Sequence, residues 1–421
     1  MSLLPKPSSL SPAEEAVRSL IDKDGPLTFA RFMELALFSP HGGYYSSPEA
    51  IGSRGDYFTS PTLHPAFAAL LAIQLEQMWT LLGCPAPFLL VEIGAGKGQL
   101  CHDLLAYARS SLPRFHQALR LVALDRLPPH PPVDNDVARV TAVGIPFWSM
   151  VGCFLSNELL DSLPVHRVVV QRGRLLEVYV TVKDGQLQET LAEPSTPRLD
   201  ERFRSLGVAL PEGYRTEVNL ALEDWMAEVA QTLARGYVLT IDYGYPAEEL
   251  YNAARSRGTL RCYFKHTLSA NPYQRVGRQD MTAHVDFTSL MRAGEARGLG
   301  TLGFTTQREF LLNLGLEAFL EALDRMGLAR RELEANRIAL LELAKADGLG
   351  NFRVLAQGKG VPDEPLWGFT PANARQHELK ELASQGRFAV PLRTPQHIPL
   401  WEARDPSASF DWEALWKELQ S

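Results

Sequence analysis

The sequence predicts a doubly wound α/β fold, and three observations carry that expectation. An apolar run, Leu89-Leu90-Val91-Glu92-Ile93, passes into Gly94-Ala95-Gly96-Lys97-Gly98, and helical spacing begins at once with Leu100, Leu104, Leu105 and Ala108. This reads as a buried strand, a tight turn and a helix opening. Strand and helix patterns then alternate along the chain, which calls for crossover connections and so for parallel pairing with covering helices. Finally, the chain has 421 residues, with 45% hydrophobic and 22% charged, enough for one large core plus additions.

The elements follow in order. Residues 11–40 read as two short helices, the second over Phe29–Phe38, opening after Pro26 and stopping before Pro40. A loop rich in glycine and aromatics covers Gly42 to Pro61 and is expected to close over a ligand as a lid. Phe67, Leu70, Leu71, Leu75, Met78 and Leu82 recur at helical spacing and predict a long amphipathic helix ending at Gly83. Strands are expected at 88–92, Leu119–Asp125, Cys153–Ser156 and Tyr237–Asp242, with helices over 99–109 and Leu220–Ala234. Between 166 and 192, alternation and the turns Arg172-Gly173 and Lys183-Asp184-Gly185 predict a β-hairpin or meander. Residues 286–347 read as mostly helical, with Thr306-Gln307-Arg308-Glu309 fitting a capping box. Phe352–Ala356 reads as a last strand. The tail from Val361 holds seven of the 29 prolines but four of the seven tryptophans, Trp367, Trp401, Trp412 and Trp416. Disordered tails lack aromatics, so an ordered extension is expected, with a short helix around Trp412–Leu419. The resulting division is 1–83 (helices and lid), 84–360 (core, with insertions at about 166–215 and 246–347) and 361–421 (extension).

The glycine spacing decides what the turn can hold. A dinucleotide fingerprint needs G-x-G-x-x-G, and its last position is Gln99 here. A P-loop fails as well, because Gly98 follows Lys97 and no glycine stands at Val91. E-x-G-x-G-x-G after a strand, from Glu92 through Gly94 and Gly96 to Gly98, is instead the pattern of class I S-adenosylmethionine (SAM) methyltransferases, a Rossmann-like fold. That cofactor carries an α-amino group and a sulfonium, which a carboxylate such as Glu92 favours. Asp125, 31 residues after Gly94, ends the second strand where an acidic side chain would take the ribose hydroxyls. Asn157-Glu158-Leu159-Leu160-Asp161 lies where the fourth strand should end, so Asn157, Glu158 and Asp161 are expected to face cofactor and substrate; N-capping is the other reading for Asn157 and Asp161. Thr240-Ile241-Asp242-Tyr243-Gly244-Tyr245 ends the fifth strand nearby. Asp286 reads as a helix N-cap, and His284 as either active-site wall or structural hydrogen bonder.

Composition excludes several classes. The formal net charge is −7, from 42 basic and 49 acidic residues, and no basic run stands out, which argues against nucleic acid as a partner. The four cysteines form no C-x-x-C and read as reduced thiols; neither a disulfide framework nor a metal site is expected. No run of about 18 apolar residues exists, so no membrane span is expected. Met1 to Lys23 lacks an apolar core of signal-peptide length and carries Glu14 and Glu15, which predicts a cytoplasmic protein.

Together these segments resemble the MidA-type SAM-dependent methyltransferases, relatives of the mitochondrial complex I assembly arginine methyltransferase. The carrying residues are Gly25–Met33, Gly42-Gly43-Tyr44-Tyr45, Gly55–Pro61, Glu92–Gly98, Asn157–Val165, Ile241–Tyr245, Thr282–Phe287 and Thr306-Gln307, in family order over roughly residues 11–360. The resemblance implies SAM as cofactor, held by Thr59, Ser60, Glu92, Gly94, Gly96, Gly98, Asp125 and Asn157, with Glu158, Asp161 and His284 at the reacting centre. It also implies a protein acceptor such as arginine, with a homodimer possible. A small-molecule O- or N-methyltransferase and a SAM-binding assembly factor with little turnover are the other function classes. Three positions depart from the family pattern: Tyr57-Phe58 replace a small residue, Leu159-Leu160 replace aromatics, and Asp125 stands where glutamate is commoner. The tail 361–421 has no counterpart in that pattern.

Overall fold

The computed structural model describes residues 10–46, 59–126, 136–264, 267–388 and 390–397. These form two compact units, each discontinuous in sequence. One draws on residues 1–57, 160–225 and 244–290, the other on 58–159, 226–243 and 291–421. The grouping differs from consecutive segments breaking at 83 and 360. The helix Ala66–Leu81 explains part of the difference, because 13 of its 16 residues are buried, Gln74 and Gln77 among them. It has no polar face to show to water, so it belongs inside the sheet-bearing unit rather than to a peripheral segment.

Among the described residues that unit has a sheet of seven strands, numbered here in chain order: β1 (Phe88–Ile93), β2 (Leu119–Asp125), β3 (Val137–Thr141), β4 (Met150–Asn157), β5 (Leu233–Asp242), β6 (Gly300–Thr306) and β7 (Arg353–Lys359). They lie in the order β6-β7-β5-β4-β1-β2-β3. Neighbours from β5 through β3 run parallel, and β7 runs antiparallel to both β5 and β6. Burial explains the strand sequences: Phe88, Leu90 and Val91 on β1 and Tyr237 to Ile241 on β5 are covered on both faces, so the runs are apolar but for Thr240. Chain order reverses between β1 and β4. Ligands in such sheets bind at the carboxyl ends of the strands beside that reversal.

Strand β6 lies in a stretch whose sequence reads as helical. Its glycines are the reason it fits. A side chain at Gly303 would collide with the Phe369 ring, and β6 pairs with β7 through an irregular register at Thr301/Gly303. Gly152 on β4 and Gly236 on β5 play a comparable part at φ 151° and 146°. A Cβ on Gly152 would sit on the Leu89 carbonyl, and one on Gly236 would sit on the Gly152 carbonyl. Gly236→Ala is therefore expected to lower stability by about 3 kcal/mol through strain and backbone displacement. A chemical-denaturation midpoint equal to the parent's would contradict this.

The other unit carries the expected hairpin. His166–Gln171 pairs antiparallel with Arg174–Lys183, which pairs onward with Gln186–Ala192; Leu27–Thr28 and Arg215–Val218 complete the sheet. Both connections use positive φ, at Arg172 (54°) and Gly173 (69°), then Asp184 (53°) and Gly185 (72°), the twist that suits two-residue hairpins. Asp286 is the expected cap, accepting from the Ser289 N–H at 3.0 Å. The box at Thr306 and Glu309 is reciprocal.

The extension lies against the sheet unit as far as it is described. Leu366 is buried, the helix Ala374–Ser384 buries Leu379 and Ala383, and Gln74 and Gln77 accept from the Gly368 and Trp367 N–H groups at 2.8 Å. The helix expected at Trp412–Leu419 and the lid residues 47–58 lie outside the described residues. Among the described residues no helix is long and apolar enough to cross a membrane. Cys101, Cys153 and Cys262 are buried, Cys84 is half-buried, and all four are free thiols.

Candidate active site

The ends of β1, β2, β4 and β5 converge beside the chain reversal. After β1 the backbone turns through Gly94, Gly96 and Gly98 at φ 75°, 52° and 77°, a path that only glycine follows without strain. Gly94 is also hemmed in, because a Cβ there would stand 2.7 Å from Leu159 Cδ1. The turn is tied to β2: the Gly94 N–H donates to the Leu124 carbonyl at 2.9 Å, and the Gly96 N–H donates to Asp125 Oδ2 at 2.9 Å. The helix Gln99–Ser111 then starts with Gly98 as its left-handed cap.

Glu92 sits beneath this turn, 5% exposed. Burial pushes its carboxyl up to about 7; hydrogen bonds from Cys101 oppose the rise and the nearby Asp125 adds to it. Its Oε2 has no hydrogen-bond partner, and neither does Asn157 Oδ1 at the end of β4. Unsatisfied buried acceptors are costly and need an account. Glu92 Oε2, Asn157 Oδ1 and the Asp125 carboxylate form an acceptor-rich set that suits a ligand bringing an ammonium, hydroxyls and a positive centre. S-adenosylmethionine brings all three, so these residues fit it.

Glu158 follows Asn157 at φ 52°, a conformation unusual for a residue with a side chain. It is over-determined there. The Glu158 N–H donates to the Ile241 carbonyl at 2.9 Å, Asn157 Nδ2 donates to Glu158 Oε1 at 3.0 Å, and the Leu159 N–H donates to Asp242 Oδ2 at 3.2 Å. Such outliers gather at functional sites. Neither this backbone nor the role of Asp242 as its anchor emerges from sequence reasoning, although the strand-ending position of Asp242 is a signal for it. Thr59 and Ser60 open the short helix Ser60–Leu63; the Thr59 N–H donates to Thr62 Oγ1 at 3.1 Å, and Ser60 Oγ donates to buried Gln307 at 3.2 Å.

Asp161 and His284 belong to the hairpin-bearing unit and are neighbours within it. Asp161 lies in the 3₁₀ turn Leu160–Ser162, not in a following α-helix, and its carbonyl accepts from the Ala283 N–H at 2.9 Å. The His284 N–H donates to Thr259 Oγ1 at 3.1 Å, and its ring lies 5.4 Å from that of Tyr245. Burial, then Arg255 and Arg261, lower its pKa to about 4, so the imidazole is neutral near pH 7. The structure thus brings Glu92, Gly94, Gly96, Gly98, Asp125, Asn157 and Glu158 to one end of one sheet, and places Asp161 and His284 in the other unit, where the Asp161 carbonyl meets the residue before His284.

Residues 70–305 match a family model described as "Putative S-adenosyl-L-methionine-dependent methyltransferase". Among curated proteins the chain is similar to "Protein arginine methyltransferase NDUFAF7 homolog, mitochondrial" of Drosophila melanogaster, at 28% identity over 73% of this chain and 76% of that protein. It is similar to "Protein arginine methyltransferase NDUFAF7, mitochondrial" of Homo sapiens at 28% identity, over 75% of this chain and 78% of that one. Among solved structures it is similar to a Burkholderia thailandensis protein crystallised with S-adenosyl-homocysteine, at 30% identity and a TM-score of 0.77, covering 89% of this chain and 99% of that one. These names correct the cytoplasmic expectation, since the curated relatives are called mitochondrial. The acidity that argued against an address belongs to the fold: Glu14 and Glu15 occupy the first turn of the helix Pro12–Asp24, where acidic residues complement the helix dipole. With more than half of its length matched by the family model, and with the sheet order and glycine turn described above, the chain belongs to this family of S-adenosyl-L-methionine-dependent methyltransferases with a class I fold.

Proposed function

We propose that this enzyme transfers a methyl group from SAM to an arginine side chain of a protein, with the Glu158 carboxylate balancing the guanidinium. The observation that carries the reading is Glu158 itself, a carboxylate held at φ 52° by three hydrogen bonds around the end of β4. The relatives' names, which state arginine as their target, support the same acceptor. SAM supplies an electrophilic methyl on a positive sulfonium. Glu92 takes the cofactor's ammonium and Asp125 its ribose hydroxyls. Thr59, Ser60 and Asn157 line its site, and the glycine turn admits it closely. Glu158 offsets the second cation, because two positive groups at close range in a low-dielectric site repel by several kcal/mol. It also orients the guanidinium nitrogen, whose pKa is too high for simple deprotonation before attack. With SAM bound, transfer would leave S-adenosylhomocysteine and a methylated guanidinium, and the proton lost from the nitrogen would pass to solvent. Incubation with methyl-labelled SAM and the protein's captured partners should place label in methylarginine after hydrolysis; label only on a hydroxyl or in a small molecule would reject arginine.

Cofactor binding should depend on pH through Glu92. Its carboxyl rises from 4.5 to about 7 in the folded chain, so the folded state holds an extra proton between those values. The stability this gives is complete below 4.5 and is lost as pH rises through about 7. An ammonium ligand favours the ionised form, so SAM affinity should fall as pH drops below about 7. Glu92→Gln should remove that slope in calorimetric titrations on either side of neutrality. A parent affinity independent of pH there would contradict the role.

A further inference from the structure

The last described residues of the extension reach the helix that follows the glycine turn. His397 is buried, and its Nε2 lies 3.0 Å from Asp103 Oδ2. Its Nδ1 accepts from the Thr394 N–H at 3.1 Å, which leaves Nε2 as the protonated nitrogen donating to Asp103. The same Asp103 oxygen accepts from Gln99 Nε2 at 2.8 Å. Gln99 is the first residue of that helix, directly after Gly98. A short line of hydrogen bonds therefore runs from the extension through Asp103 to the turn that carries Gly96 and Gly98. The extension is itself well anchored before this point: Phe388 packs on Phe319 at 4.7 Å, and the Arg393 N–H donates to buried Asn336 at 3.0 Å.

We propose that His397 is a positioning residue for the cofactor: through Asp103 and Gln99 it holds the glycine turn in its ligand-ready path, which couples docking of the extension to SAM binding. The inference rests on the cofactor assignment above. Coupling of this kind is reciprocal, so SAM should tighten the extension just as the extension tightens SAM. A side chain that merely packs the extension down would not show that reciprocity.

The test uses the full chain. His397→Ala should raise the SAM Kd by about tenfold, within the usual range for coupled sites. His397→Gln, which retains a donor, should recover part of the loss. Gln376→Ala removes another anchor of the extension, the 2.9 Å bond to the Leu312 carbonyl, and should leave Kd unchanged. In the parent, saturating SAM should slow hydrogen exchange across 390–397, and His397→Ala should abolish that slowing. Equal Kd values for parent and His397→Ala, or exchange indifferent to SAM, would overturn the proposal while leaving the cofactor assignment standing. A parent that fails to bind SAM would overturn the assignment instead.

Discussion

Replacing Gly96 by valine, or Asp125 by alanine, should cost SAM affinity more than any other change near the glycine turn. Gly96 has φ 52°, where a β-branched residue is a steric outlier costing about 1–3 kcal/mol. The strain would be relieved by moving the turn, and with it the N–H that now donates to Asp125 at 2.9 Å. Asp125→Ala removes the acceptor proposed for the ribose hydroxyls and leaves the Gly96 N–H without its carboxylate. Hydrogen bonds to a charged group contribute about 1.5–3 kcal/mol, so each change should weaken binding on the order of tenfold to a hundredfold. Calorimetry on folded variants reads this directly. Parent-like affinity in both would sink the assignment of this turn.

Glu158→Gln separates cofactor binding from transfer. The amide keeps the shape and still accepts from Asn157 Nδ2, now 3.0 Å away, but it removes the charge that balances a guanidinium. SAM affinity should stay within a few-fold, whereas kcat/KM on an arginine acceptor should fall by at least about a hundredfold, the scale of losing a buried charge partner. Full activity in Glu158→Gln would leave the carboxylate as a structural group and remove the chemical support for arginine.

The parts of the molecule that were legible in the sequence share a cause: they are set by local rules. The apolar run into Glu92 and the three glycines fix a strand and a turn whatever surrounds them. The same holds for the hairpin turns at Arg172-Gly173 and Asp184-Gly185, and for the capping box at Thr306. What escaped depends on contacts distant in sequence. Strand β6 reads as helix until Phe369 is placed on Gly303. The helix Ala66–Leu81 reads as amphipathic because Gln74 and Gln77 look solvent-facing, yet both are buried against backbone donors of the extension. The left-handed backbone at Glu158 is imposed by Ile241 and Asp242, some eighty residues on, and no local pattern announces it. The cytoplasmic expectation failed for a related reason, since Glu14 and Glu15 answer to a helix dipole and not to an address.

A crystal structure of this protein with S-adenosylhomocysteine bound would show the ligand's contacts directly. The ribose hydroxyls should lie on Asp125, the amino group beside Glu92 and the sulfur facing Glu158, with the glycine turn unmoved. Ligand bound at the opposite end of the sheet, or at the carboxyl ends with Asp125 and Glu92 out of contact, would contradict the cofactor assignment.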